Sequence, residues 1–406
     1  MSGKASLLVV AGFSLIFLVI SVNFGSVSNR AVDNFVDYSN KTISHNIAIS
    51  GANIAANEIY LDPTWDDGFQ NLSYQGGSLD VEVIVVDAFQ NIREIVSTAD
   101  YNSTLSTVKV TLSPSKFSKF AYFSVSEGEN IWWTKSDTVW GPFHTQDYMR
   151  VYRHPVFFGK ATTKRKLIYY TSKTQDKPYF FSGFERGINL PLPDDAVDDI
   201  EPMADDNGLK FNGHDTVYIN FERDSLKFRF SYSDPDTVIY LPTAAPNGII
   251  FAKNSVVRLK GVVSGQYSVV SSGPSDKGKI YLDDDIVFDK DPNIYVNSTD
   301  LLGIIAKNEV LITDNSANHS DIFIDASIYT ETGGFGAENY KNRPVSGNIN
   351  LRGGIIQHTR RAVGTFNQYG PESGFAKRYR YDERLRIASP PGFPGTGSYE
   401  IVAWLE

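Results

Sequence analysis

Residues Ala5 to Val22, ASLLVVAGFSLIFLVISV, hold no charged side chain, with Lys4 in front and Gly25 close behind. At 1.5 Å of rise per residue such a helix is about 27 Å long, close to the hydrocarbon thickness of a bilayer. The pattern then changes without a break. From Ser26 to Leu61, Val32, Phe35, Val36, Ile43, Ile47, Ile54 and Ile59 recur at helical spacing, with Arg30, Asp33, Asn40, Lys41 and Asn46 between them. Asp62-Pro63 ends the run, because the residue before a proline is pushed out of the helical region. The spacing therefore predicts one rod over residues 1–62. Its first half meets lipid or neighbouring helices through Leu7, Leu8, Val9, Val10, Phe13, Leu15, Ile16, Phe17, Leu18 and Ile20. Its second half lays Phe35, Ile43, Ile47, Ile54 and Ile59 on a sheet. Three uses fit the apolar run: a cleaved export signal, a plain single-span anchor, or an assembly stem. The residues around Phe24-Gly25-Ser26 make a poor signal cleavage site.

The remaining chain favours β structure. The whole sequence holds 26 Phe and 22 Tyr with 32 Gly and no Cys, which excludes disulfide staples and thiol chemistry. Residues 63–130 predict a small antiparallel sheet with strands near 79–85, 91–97, 106–112 and 120–125, covered by the rod. Residues 131–406 contain short apolar runs between Gly, Asn and Asp, such as NGIIFAKNSVVRLKGVV and DLLGIIAKNEVLI. Each run is too short to bury itself, so stacked coils of a parallel β-solenoid are expected, with a β-sandwich as the other arrangement. The fold class is mainly β with a long N-terminal helix. An insertion at 171–246 carries a hairpin, and the basic-aromatic residues 375–406 are expected to cap the solenoid. Arg360 and Arg361, just ahead of that segment, are expected to snorkel over the same end.

Polar clusters give little chemistry. The tract PDDAVDDIEPMADDNG is expected to be a solvated loop. Asp289, Asp291 and Asn293 are weak calcium candidates, because Ile294 stands where an EF-hand loop needs glycine. No catalytic residue set, phosphate loop or nucleophile elbow appears. Asp283 and Asp285 are the raw material for a polysaccharide-cleaving site, and alternation places them on one face. A net charge of −9 argues against a nucleic-acid partner.

The rod, closing with HNIAISGANIAANEIYL, resembles the stem of type IV pilin-like proteins of the PilX-type branch. VWGPFHTQDYMRV, HPVFFGKATT and KRYRYDERL resemble an uncharacterised β-rich domain joined to such stems in bacteria. Fibre-forming pilins usually carry glutamate five residues into the mature chain. Cleavage after Gly3 or Gly12 would put Leu8 or Phe17 there. The resemblance thus implies a minor or pseudopilin-like subunit, or an unprocessed anchor.

The expectation is a non-enzymatic, cofactor-free structural subunit of a pilus-like or pseudopilus-like filament in the bacterial envelope. It would span the inner membrane once, carry its β domain on the outer side, and pair with copies of itself or other pilin-like subunits. A surface or polysaccharide ligand is allowed. The alternative is a membrane-anchored β-solenoid that binds or cleaves polysaccharide.

Overall fold

The computed structural model describes residues 2–87, 91–135, 137–367 and 370–406. Ser2–Leu61 is one unbroken α-helix. After it come a small sheet and a large, mainly parallel one. The chain divides into two compact units. One comprises residues up to Pro114 together with Gly397–Glu406; the other is Ser115–Thr396.

In the first unit, Phe69–Tyr74, Gly77–Asp87, Ile92–Tyr101 and Thr104–Lys116 pair antiparallel in chain order, and Gly395–Leu405 joins the far edge. The helix covers this sheet with a narrow face. Ile47, Ala48, Ala52, Ala55 and Ile59 are buried against Leu79, Val81, Ile95, Ala99, Val108 and Val110. Ser44 Oγ donates to the Ala99 carbonyl at 3.0 Å. The centre of the face is made of small residues, which lets the helix backbone approach the strands closely. Of the expected contacts, Ile43, Ile47 and Ile59 pack there. Phe35 is 71% exposed and Ile54 stays outside the cluster. Ile54 lies about a quarter turn from the centre of the packed face.

Gly51 shows how close the approach is. A Cβ at this position would sit 2.5 Å from both Leu79 Cδ1 and Ser97 Oγ. Gly51→Val is therefore expected to destabilise this unit by about 1–3 kcal/mol through overpacking. Denaturant unfolding of the full chain in detergent measures it, and an unchanged midpoint would contradict the packing.

In the second unit, parallel strands stack in register. One column runs Ile250, Val269, Ile304, Ile328, Ile355, Tyr122, Phe143 and Ala161, all buried, and ends at the half-buried Phe184. Another runs Ile324, Leu351, Tyr379, Val139, Phe157 and Phe180. The order in space is not the order in sequence. Residues 209–380 form one run and residues 122–186 another, and they meet where Val345–Thr359 pairs with Tyr122–Ser126. The expected fourth strand of the small sheet, near 120–125, belongs to this ladder, because its side chains are apolar on both faces: Tyr122 and Phe123 are both buried.

The connection from 187 to 208 lies along the outside of the first column. Its Ala196, Val197, Ile200 and Ala204 cover Phe251, Val270, Ile305, Tyr329 and Ile356. The acidic tract is thus not a free loop. Its apolar residues cover the sheet while its acids meet lysines: Asp198 pairs with Lys307, and Glu201 pairs with Lys210 and Lys253. Most of the expected insertion also differs. Tyr179–Phe180, Phe184–Arg186, Leu209–Asn212 and Thr216–Arg223 lie in the parallel ladders. Only Ser225–Arg229 and Thr237–Tyr240 add antiparallel strands.

The C-terminal cap is replaced by two other placements. Gly370–Arg380 pairs parallel with Val345–Thr359 and Thr138–Trp140, while Gly395–Leu405 completes the first unit's sheet. Alternating residues in Gly370–Arg380 are buried at Phe375 and Tyr379, which a surface cap would not require. Arg360 does not snorkel: it is buried where the two runs meet. There Arg360 Nη1 donates to Glu127 Oε2 at 2.8 Å and the guanidinium lies 3.9 Å over the Trp133 ring. Tyr122, Ser124 and Trp133 also donate to the same carboxylate.

Candidate functional site

Among the described residues one helix is long and apolar enough to cross a bilayer. Leu7, Leu8, Val9, Val10, Phe13, Leu15, Ile16, Phe17, Leu18 and Ile20 are each more than half exposed. Nearly every residue from Gly3 to Tyr38 is free of cover, a length of about 55 Å as helix. Contact with the sheet begins near Asn40, whose Oδ1 accepts from Asn102 Nδ2 at 3.2 Å. The helix is therefore divided by chemistry rather than by a break. Residues 43–59 are anchored in the first unit, and residues 5–22 present apolar side chains on every face. A helix apolar all round is stable only against lipid or other helices, since its backbone groups are paired internally and its side chains avoid water. Val27, Val32, Phe35 and Val36 extend the exposed apolar surface beyond the uncharged stretch.

The sequence reading missed the residues that fix the helix to the sheet. Ala48, Gly51, Ala52 and Ala55 carry little hydrophobic weight, so bulky isoleucines dominate the periodicity. Small residues at spacings of three and four were the available signal.

The other polar candidates fall in separate places. Asp283 is held by Arg258, with Nη2 to Oδ1 at 2.6 Å and Nε to Oδ2 at 2.9 Å, and also accepts from Thr313 Oγ1 at 2.7 Å. The register shifts where residues 283–285 oppose Lys260. This bulge breaks the alternation that would have put Asp283 and Asp285 together. Asp283 and Asp284 line a groove of about 650 Å³ with Tyr218, Arg229, Tyr232 and Lys260. Asp285 instead accepts the Phe323 backbone N–H at 2.8 Å, and burial pushes its carboxyl above the usual range. Asp289 pairs with Arg223 at 2.7 Å and Asp291 with Arg352 at 2.6 Å. Asn293 donates its backbone N–H to Asp291. Both aspartates of the calcium candidates thus face an arginine, and among the described residues no three His, Asp or Glu gather around one point.

His144 is buried in the outward column, stacked on Phe123 at 5.1 Å with Nδ1 2.7 Å from Thr162 Oγ1. Burial pulls its pKa down to about 4. The folded state keeps this imidazole neutral while the unfolded chain protonates it below about pH 6.5, so stability falls as pH drops from about 6.5 towards 4. Between pH 7 and 5 this group alone is expected to remove about 2 kcal/mol. Denaturant unfolding of wild type and His144→Phe at both pH values checks it. The variant should lose less than the wild type, and equal losses would refute the assignment.

No family model matches the chain, and no curated protein does. Among solved structures it is similar to the competence-associated pilin ComZ from Thermus thermophilus, at 10% identity and a TM-score of 0.38, over 90% of this chain and 96% of that chain.

Proposed function

We propose that this chain is a minor-pilin-like subunit of an envelope filament, with residues 5–22 serving first as a membrane anchor and then as the packed stem. The observation that carries this is the helix itself: exposed and apolar all round over its first half, and fixed to a sheet without interruption over its second. An anchor that serves only to tether needs no rigid continuation into the folded unit, whereas a stem that sets subunit spacing does. The parallel ladders of the second unit are read as coils of a β-solenoid, carried outside the inner membrane, and the subunit as non-enzymatic and cofactor-free. Partners are copies of this chain or other helices of the same kind.

The chain has no Cys, so a single introduced cysteine reports cleanly on neighbours. Leu8→Cys and Phe17→Cys, oxidised in native membranes, are expected to give cross-linked species whose abundance depends on helix position. Uncrosslinked monomer at every stem position would reject the assembly role and leave a simple anchor.

A further inference from the structure

The two ends of the parallel stack differ. At one end, Ser225–Arg229 and Thr237–Tyr240 continue the sheet antiparallel from Thr216–Arg223, and Leu226 and Leu241 there are fully buried. The other end has no such continuation. Tyr179–Phe180 pairs only with Val156–Phe157, Phe184–Arg186 only with Ala161–Thr163, and Leu167–Tyr169 only with Met149–Val151. Among the described residues the outer edges of these three strands have no strand partner. The core is open there too. Phe180 and Phe184 stack at 4.8 Å yet remain partly exposed. With Leu167, Tyr169 and Pro178 they line a cleft of about 470 Å³, rimmed by Lys173 and Lys177.

The charge at this end is uncompensated. Lys164, Arg165, Lys166, Lys173, Lys177 and Arg186 have no described carboxylate within ion-pair distance, whereas most Lys and Arg from Lys210 onward do face one. The two acids nearby are committed. Asp176 accepts the backbone N–H groups of Arg153 and Ser172, and Glu185 pairs with Lys160 at 2.7 Å. A basic end on a chain of net charge −9 is a local feature, not a reflection of composition.

We propose that this end coil is a docking site for an extended acidic segment of another polypeptide, which adds as a strand along the open edge. Three features select that occupant. The strand edges need backbone N–H and C=O partners, which a polysaccharide or nucleic acid does not supply in register. The cleft takes the apolar side chains that alternate along such a strand. The lysine rim favours carboxylates between them. A second copy of this chain stacked end to end is the poorer occupant. Joining two of these ends brings like charges together, and at the opposite end Ser225–Arg229 and Thr237–Tyr240 turn the ladder antiparallel, so it does not repeat the parallel coil.

The test uses the full chain in detergent micelles and a short fluorescein-labelled peptide that alternates valine and glutamate. Saturable binding is expected, falling by about tenfold in the double variant Lys173→Glu, Lys177→Glu and weakening at high salt. Backbone amides in 179–186 should gain protection from hydrogen exchange when the peptide is bound. The double variant changes only the cleft rim, and an unchanged melting curve shows that it is folded. No saturable binding, equal binding of a valine–lysine peptide, or binding that the double variant leaves intact would overturn the proposal. So would preference for single-stranded DNA or polygalacturonate over the peptide. None of these outcomes bears on the stem, whose cross-linking is read separately.

Discussion

Ile16→Asp and Val10→Asp are each expected to remove the protein from the membrane and from any cross-linked species. Both residues sit in the uncharged stretch, exposed and far along the helix from its first contact with the sheet. A carboxylate near the middle of a membrane-spanning helix costs about 2.5–3.5 kcal/mol on insertion scales. At about 1.4 kcal/mol per tenfold, the equilibrium constant for insertion should fall by roughly a hundredfold. In the proposed filament core, apolar helices leave no water to solvate the charge either, so assembly is expected to fail with insertion. Neither side chain touches the folded units, so a chain beginning at Ser26 should keep the thermal midpoint of the full protein. Membrane fractionation and oxidative cross-linking provide the readouts. A charged variant that still fractionates and cross-links like wild type would end the stem assignment.

Glu127→Ala is expected to give the largest loss of stability in the second unit. The carboxylate is fully buried and receives donors from Tyr122, Ser124, Trp133 and Arg360. Removing it leaves a buried guanidinium without its counter-ion, which costs about 3–5 kcal/mol. For a unit of this size that lowers the melting midpoint by about 10 °C. Glu127→Gln keeps the size and part of the hydrogen bonding, so it should fall between. Differential scanning calorimetry decides, and a midpoint unchanged in Glu127→Ala would show that the junction between the two runs of strands is held by apolar stacking alone.

These two sites differ in how far the sequence foretold them. The stem was legible because hydrophobicity without charge over eighteen residues has few structural outcomes, and because helical periodicity continued past it. The strands were legible as short apolar runs, and their parallel pairing follows from burial on both faces. Partner choice was not legible. Nothing in YFSVS announces that it pairs with Ile355 and Ile356, far along the chain, because register is set by three-dimensional stacking and not by local pattern. Arg360 is an arginine in a polar stretch until Glu127 and Trp133 are brought beside it. The acidic tract misled for a related reason. Its carboxylates dominate the composition, while four apolar residues, Ala196, Val197, Ile200 and Ala204, decide where it lies.

The order of strands in the second unit has a consequence for biogenesis. Residues 122–186 are synthesised before residues 209–380, but the Tyr122–Ser126 edge on which the rest stacks stays bare until Val345–Thr359 arrives. The first unit waits longer still, because its edge strand Gly395–Leu405 follows every strand of the second unit in the chain. Until those late segments arrive, both places present unpaired strand edges, the kind of surface that pairs with other chains. A chain that stops short of Gly395 is left unfinished in the unit that holds the helix.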